Sequence, residues 1–276
     1  LLSGIDEVKE KLGTVSLEEK NQLLDSMADS VFVPYLVMAL VLLVLGLLIR
    51  KAPLPNVEAK PLEEANEGED SKTSIFQFPH LWLGVLTLFV YVGAEVIAGD
   101  TIIAYGISLG IPAEDAKFFT TLTLMAMVAT YAAGVFLIPK YIKQGTALIL
   151  SAISGIILSV CILMTTGLTS VLFVAALGIS NALVWPAVWP LTLDGLGKFT
   201  KTASALLIMA ISGGAIIPPL YGRLVDSNKL ELIASGVSEA EALSTSSTGS
   251  YWILIPCYVI ILYFALWGRK LGRKMQ

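Results

Sequence analysis

The chain has 276 residues, 55% of them hydrophobic and only 14% charged, with a mean hydropathy of +0.78 and a formal net charge of −4. Soluble domains run at about 45–50% apolar and about 25% charged residues, so this composition belongs to an integral membrane protein. It excludes a cytosolic enzyme, a nucleic-acid binder, which needs a basic surface, and a disulfide-stapled secreted module.

In chain order, residues 1–29 read as an external polar segment. In it Ser16 and Glu19 match a capping box that starts a short amphipathic surface helix. The opening Leu1-Leu2, with neither Met nor a signal-peptide pattern, reads as a fragment or a processed chain. Residues 30–50 read as a lone transmembrane helix, apolar and uncharged over 31–49. Residues 51–79 carry Pro53, Pro55 and Pro61 and an acidic run through Glu63, Glu64, Glu67, Glu69 and Asp70, the composition of a flexible cytoplasmic linker. Residues 80–268 form a block of six spans. The first, near 81–109, is overlong and interrupted; the others cover 118–138, 147–165, 168–193, 203–221 and 251–267. Ser238 and Glu241 repeat the capping device in the loop before the last span. A basic tail, 269–276, closes the chain.

Lys and Arg set the orientation. The clusters Arg50-Lys51, Lys140 with Lys143, Lys198 with Lys201, and Arg269 to Lys274 all fall on one side of a seven-span layout. That predicts an external N-terminus and a cytoplasmic C-terminus.

Ionisable groups inside spans are expensive and mark function. Glu95 lies near the middle of its span, with Tyr91 one turn back on the same face. Asp100 points elsewhere and lies nearer the outside. The glycine-rich stretch from Gly93 to Gly110 predicts a broken helix whose freed backbone lines a cavity. In the fourth span of the block Asn181, Trp185 and Trp189 recur at intervals of four, with Pro186 and Pro190 opening the backbone beside them. An amide with indole rings suits a sugar, whose hydroxyls need hydrogen bonds and whose C–H face stacks on aromatics. The competing reading makes the tryptophans interfacial anchors. Gly213 and Gly214 permit close helix packing, with hinge motion as an extra, and the paired Pro218 and Pro219 predict a kink in the outer half. Tyr131 offers a hydroxyl in the second span of the block. Cys161 and Cys257 read as packed hydrophobes and the lone His80 makes no metal cluster, so no cofactor and no enzyme chemistry is expected.

These residues resemble a known family. Val-Tyr-Val-Gly-Ala-Glu95 is similar to the seventh helix of the fucose–galactose–glucose symporters, a branch of the major facilitator superfamily. Trp185-Pro-Ala-Val-Trp-Pro-Leu resembles their tenth helix, and the run from Ile211 through Pro218-Pro-Leu-Tyr-Gly222 to Asp226 their eleventh. The turn Pro139 to Gly145 sits where the superfamily places its basic loop between helices eight and nine. The resemblance covers roughly residues 30–268. It implies an all-α integral membrane protein whose seven transmembrane helices correspond to helices 6–12 of a twelve-helix fold. The six-span block would divide into two inverted triplets, and an N-terminal helical bundle would be missing from this chain. It implies a cation-coupled symporter, with H+ favoured over Na+, importing a hexose or deoxyhexose across a bacterial inner membrane by alternating access. Its partners would be the monosaccharide, the lipid bilayer and that N-terminal bundle. Glu95, Asn181, Trp185 and Tyr91 would bind the sugar; Asp100, Tyr131, Trp189, Gly213 and Gly214 would be gating or secondary residues. One departure is Val135, which follows Gly134 where the family often carries an Arg. The rival readings are a complete seven-helix receptor and a non-transporting membrane protein; a retinal protein is disfavoured because 251–267 holds no Lys.

Overall fold

The computed structural model describes residues 17–51, 73–138 and 140–272, and side chains in the first stretch from Phe32. Ser16, the acidic linker, Pro139 and the tail after Gly272 lie outside the described residues.

Helix α1, Leu17–Lys51, is one uninterrupted helix of 35 residues containing Pro34. The sequence reading placed a surface helix and a separate span here. Straight-chain helix formers fill the first three turns, and nothing between them and the apolar run breaks the hydrogen-bond ladder except the missing N–H of Pro34. At about 1.5 Å per residue the helix is longer than the ~30 Å hydrocarbon layer. Its stretch Phe32–Leu48 exposes Phe, Val and Leu side chains all round, as a lipid-facing helix does.

The rest of the chain folds as a bundle. Its helices are α2 (Pro79–Asp100), α3 (Ile102–Ser108), α4 (Ala113–Ala116), α5 (Phe119–Leu137), α6 (Gln144–Met164) and α7 (Gly167–Asn181). They continue with α8 (Val184–Leu193), α9 (Thr200–Met209), α10 (Gly213–Ala234), α11 (Glu239–Ser250) and α12 (Leu254–Leu266). Taken across their short breaks they make six stretches long and apolar enough to cross a membrane: Pro79–Asp100, Ala113–Leu137, Gln144–Met164, Gly167–Leu193, Gly197–Ala234 and Glu239–Lys270. With α1 this is the all-helical, seven-span architecture read from the sequence.

Helix α2 is the centre of the bundle. It is apolar over most of its surface and packs against α7, α8, α10 and α12, which is how a mainly apolar helix is accommodated in a bundle. Small residues set how near the helices come. A Cβ on Gly213 of α10 would run into the Phe89 carbonyl of α2, and one on Gly178 of α7 would run into the Thr123 carbonyl of α5. The packing reading of Gly213 therefore has a direct geometric basis.

Three interruptions differ from those expected. The break expected between Gly93 and Gly110 falls at Thr101, where α2 gives way to α3; it lies beyond Glu95, through which α2 runs unbroken, and the Thr101 N–H still bonds the Ile97 carbonyl. Glycines alone did not break α2 at Glu95 because packing on four neighbours stabilises it. Helix α10 runs unbroken through Pro218 and Pro219; the irregular turn lies earlier, at Ala210–Ser212. The span 168–193 divides at Ala182 and Leu183. Pro186 has no N–H, so the Ala182 carbonyl loses its helical donor at that level. The capping reading of Ser238 holds: its side chain accepts from the Glu241 N–H at the start of α11.

Candidate functional site

Glu95 sits in α2, half-buried, in a run whose residues Tyr91–Ala94, Ile97 and Ala98 are buried. The Tyr91 hydroxyl, one turn back, donates to its Oε1 at 2.8 Å. Tyr91 itself is only 2% exposed, so it stands behind the carboxylate. Among the described residues no Lys or Arg pairs with Glu95; Lys229 pairs instead with Glu239, at 2.7 Å. The carboxylate therefore keeps Oε2 and most of its lone pairs for acceptor work.

Asn181 is the last residue of α7 and is fully buried. Its Oδ1 accepts from the Tyr258 hydroxyl of α12 at 2.8 Å. Its Nδ2 has no partner among the described residues. An unpaired buried amide group costs about 1–3 kcal/mol. Next to it, the Ser180 and Ser154 hydroxyls bond at 2.8 Å and tie α7 to α6. Glu95, Asn181 and Tyr258 are carried by α2, α7 and α12, and α2 packs against both of the others.

The regular spacing of Asn181, Trp185 and Trp189 does not survive as one helical face, because the helix breaks between the first two. Trp185 and Trp189 remain paired on α8, ring centroids 5.8 Å apart and 17° from parallel. Both are half-buried and pack on the core. Tyr131 is 50% exposed on α5. It borders an open groove of about 230 Å³ that runs past Gly134 to Leu183 and Pro186, beside the break. Asp100 is exposed at the end of α2, apart from this region. Gly213 and Gly214 face α2 through Phe89, Val92 and Val96.

Sequence reasoning missed Tyr258, 77 residues from Asn181. It also missed a second polar cluster around Tyr105, Tyr221 and Tyr251. There the Tyr105 hydroxyl meets Ser170 at 2.6 Å and Thr248 at 3.0 Å, and Tyr251 meets Thr101 at 2.8 Å. Tyr221 donates to the Ser247 carbonyl at 3.2 Å. No local pattern announces either group; the only signal is a tyrosine inside an apolar run, whose hydroxyl must find a partner when buried.

No family model matches the chain. It is 32% identical over 252 residues to a protein named glucose/galactose transporter from Brucella abortus biovar 1 (strain 9-941), across 88% of this chain and 55% of that protein. It is 29% identical to a putative glucose/galactose transporter from Helicobacter pylori (strain ATCC 700392 / 26695), covering 93% and 60%. It is 24% identical to the L-fucose-proton symporter of Escherichia coli (strain K12), covering 92% and 55%. A crystal structure of FucP, a major facilitator superfamily transporter in the outward conformation, superposes with a TM-score of 0.67 at 22% identity, over 97% of this chain and 60% of that one. The chain thus has the major facilitator fold and spans between half and two thirds of the length of these relatives.

Proposed function

Because the chain belongs to the fucose–galactose–glucose symporter family of the major facilitator superfamily, we propose that it supplies half of a monosaccharide site in a cation-coupled importer. Glu95 carries this reading. A half-buried carboxylate with one tyrosine donor and no cationic partner among the described residues is an acceptor waiting for donors, and sugar hydroxyls are donors. Glu95 accepts from the sugar, Tyr91 fixes the carboxylate from behind, the Asn181 amide donates, and Trp185 walls the site. The N-terminal bundle of the whole protein supplies the other half. Rocking of the two bundles exposes the site to each side in turn. Uptake is driven only if the coupled cation changes the sugar affinity between those states. The name of the Escherichia coli relative favours H+ over Na+. The basic clusters favour a cytoplasmic C-terminus in a bacterial inner membrane.

The test is uptake of labelled glucose, galactose and L-fucose by cells expressing the complete gene, with H+ and Na+ gradients imposed in turn. The expected result is uptake of one sugar, dependent on the H+ gradient and competed by its neighbours. No uptake of any of the three, with the protein present in the membrane, overturns the sugar reading.

A further inference from the structure

We propose that Tyr258 is a positioning residue for the sugar: its hydroxyl holds the Asn181 amide so that Nδ2 donates to a hydroxyl oxygen of the bound monosaccharide. This rests on the sugar-site reading above.

Both side chains are 0% exposed. The Tyr258 ring lies against the bare backbone of Gly155 in α6, where any Cβ would overlap it. That seat fixes where the hydroxyl stands, and the hydroxyl in turn fixes the amide through its 2.8 Å bond to Oδ1. One half of the Asn181 amide is then fully used and the other, Nδ2, is unused among the described residues. A structural amide bridge in a core uses both halves, because each unpaired group is penalised. Here the donor half is held in place at the break between α7 and α8, where Pro186 has already freed a backbone carbonyl. The helix that carries Tyr258 also packs against α2, which carries Glu95. A single buried ring thus supports the donor from a helix packed on the one that carries the acceptor. A sugar hydroxyl both donates and accepts, which is the chemistry that pairing a carboxylate with an amide N–H selects.

The experiment uses the complete transporter, purified and reconstituted in vesicles, with whichever of glucose, galactose and L-fucose it carries. Tyr258→Phe keeps the ring on Gly155 and removes only the hydroxyl. It is expected to raise KM about fivefold at unchanged Vmax per folded transporter, the size of one neutral hydrogen bond. Asn181→Ala raises KM at least as much, and adding Tyr258→Phe to it changes nothing further. Asn181→Asp keeps the acceptor for Tyr258 but has no amide donor, and raises KM as Asn181→Ala does; it decides the matter if the tyrosine variant fails to fold. A wild-type KM for Tyr258→Phe, or an equal loss with and without Asn181, overturns the proposal while leaving Asn181 in the site. A wild-type KM for Asn181→Ala and Asn181→Asp removes Asn181 from the site and this proposal with it. If the wild type carries none of the three sugars, the underlying reading and this one fall together.

Discussion

Around Tyr251, hydroxyls from several helices satisfy one another: Tyr105 with Ser170 and Thr248, Tyr251 with Thr101, Tyr221 with a backbone carbonyl. Around Asn181 and Glu95, the same kinds of residue leave an amide nitrogen and a carboxylate oxygen without protein partners among the described residues. Both clusters are buried polar groups in an apolar bundle. The first is closed and acts as a fastening between α3, α7, α10 and α11. The second leaves hydrogen-bonding capacity unused, and that capacity is what a ligand would take up. Burial of polar groups alone does not mark a binding site; the pattern of unused donors and acceptors does.

The contrast can be broken or sharpened by substitution. The largest effect is expected at Glu95. Hydrogen bonds to a charged acceptor are worth about 1.5–3 kcal/mol, so Glu95→Gln should lower kcat/KM for the carried sugar by about tenfold or more. Uptake kinetics equal to wild type would place Glu95 with the closed cluster. Next comes Gly213→Ala, whose methyl meets the Phe89 backbone. Such overpacking costs about 1–3 kcal/mol, read as a lower melting temperature in detergent. Gly214→Ala is expected to cost less, because its methyl comes closest to the Val92 and Val96 side chains, at 3.0 and 3.1 Å, and keeps an ordinary distance from the backbone. In the closed cluster, Tyr105→Phe should lose about 0.5–1.5 kcal/mol of stability with KM unchanged; a raised KM would show that the closed cluster also serves the sugar. The smallest effect is expected at Asp100, exposed at a helix end. Asp100→Asn should leave uptake within about twofold of wild type, as surface substitutions do.

The spans were legible because a bilayer demands long apolar runs whatever the fold. The Tyr91–Glu95 pair was legible because both lie on one helix, four residues apart, and helical geometry brings such pairs together. The close approach at Gly213 was legible from composition alone. The partner of Asn181 was not: Tyr258 comes from a span 77 residues on, and which face α12 turns to α7 is decided by packing on Gly155. The break at Ala182 and Leu183 was half legible. Pro186 marked the weakened ladder, but the regular spacing of Asn181, Trp185 and Trp189 suggested a continuous face. The joined helix α1 and the unbroken path of α2 through Glu95 show the converse error, in which locally poor helix formers stay helical once enclosed or once their neighbours are strong.

The two stacked indoles of α8 have an optical consequence. Chromophores 5.8 Å apart and 17° from parallel couple their strong far-ultraviolet transitions, so Trp185 and Trp189 together contribute a far-ultraviolet circular dichroism signal that neither gives alone. Both lie on the same short helix, so rigid rotation of the bundle leaves that signal unchanged. Unwinding of α8, or a guest that tilts one ring, does not. The chain thus carries its own unlabelled probe that separates motion of the scaffold from events at its surface.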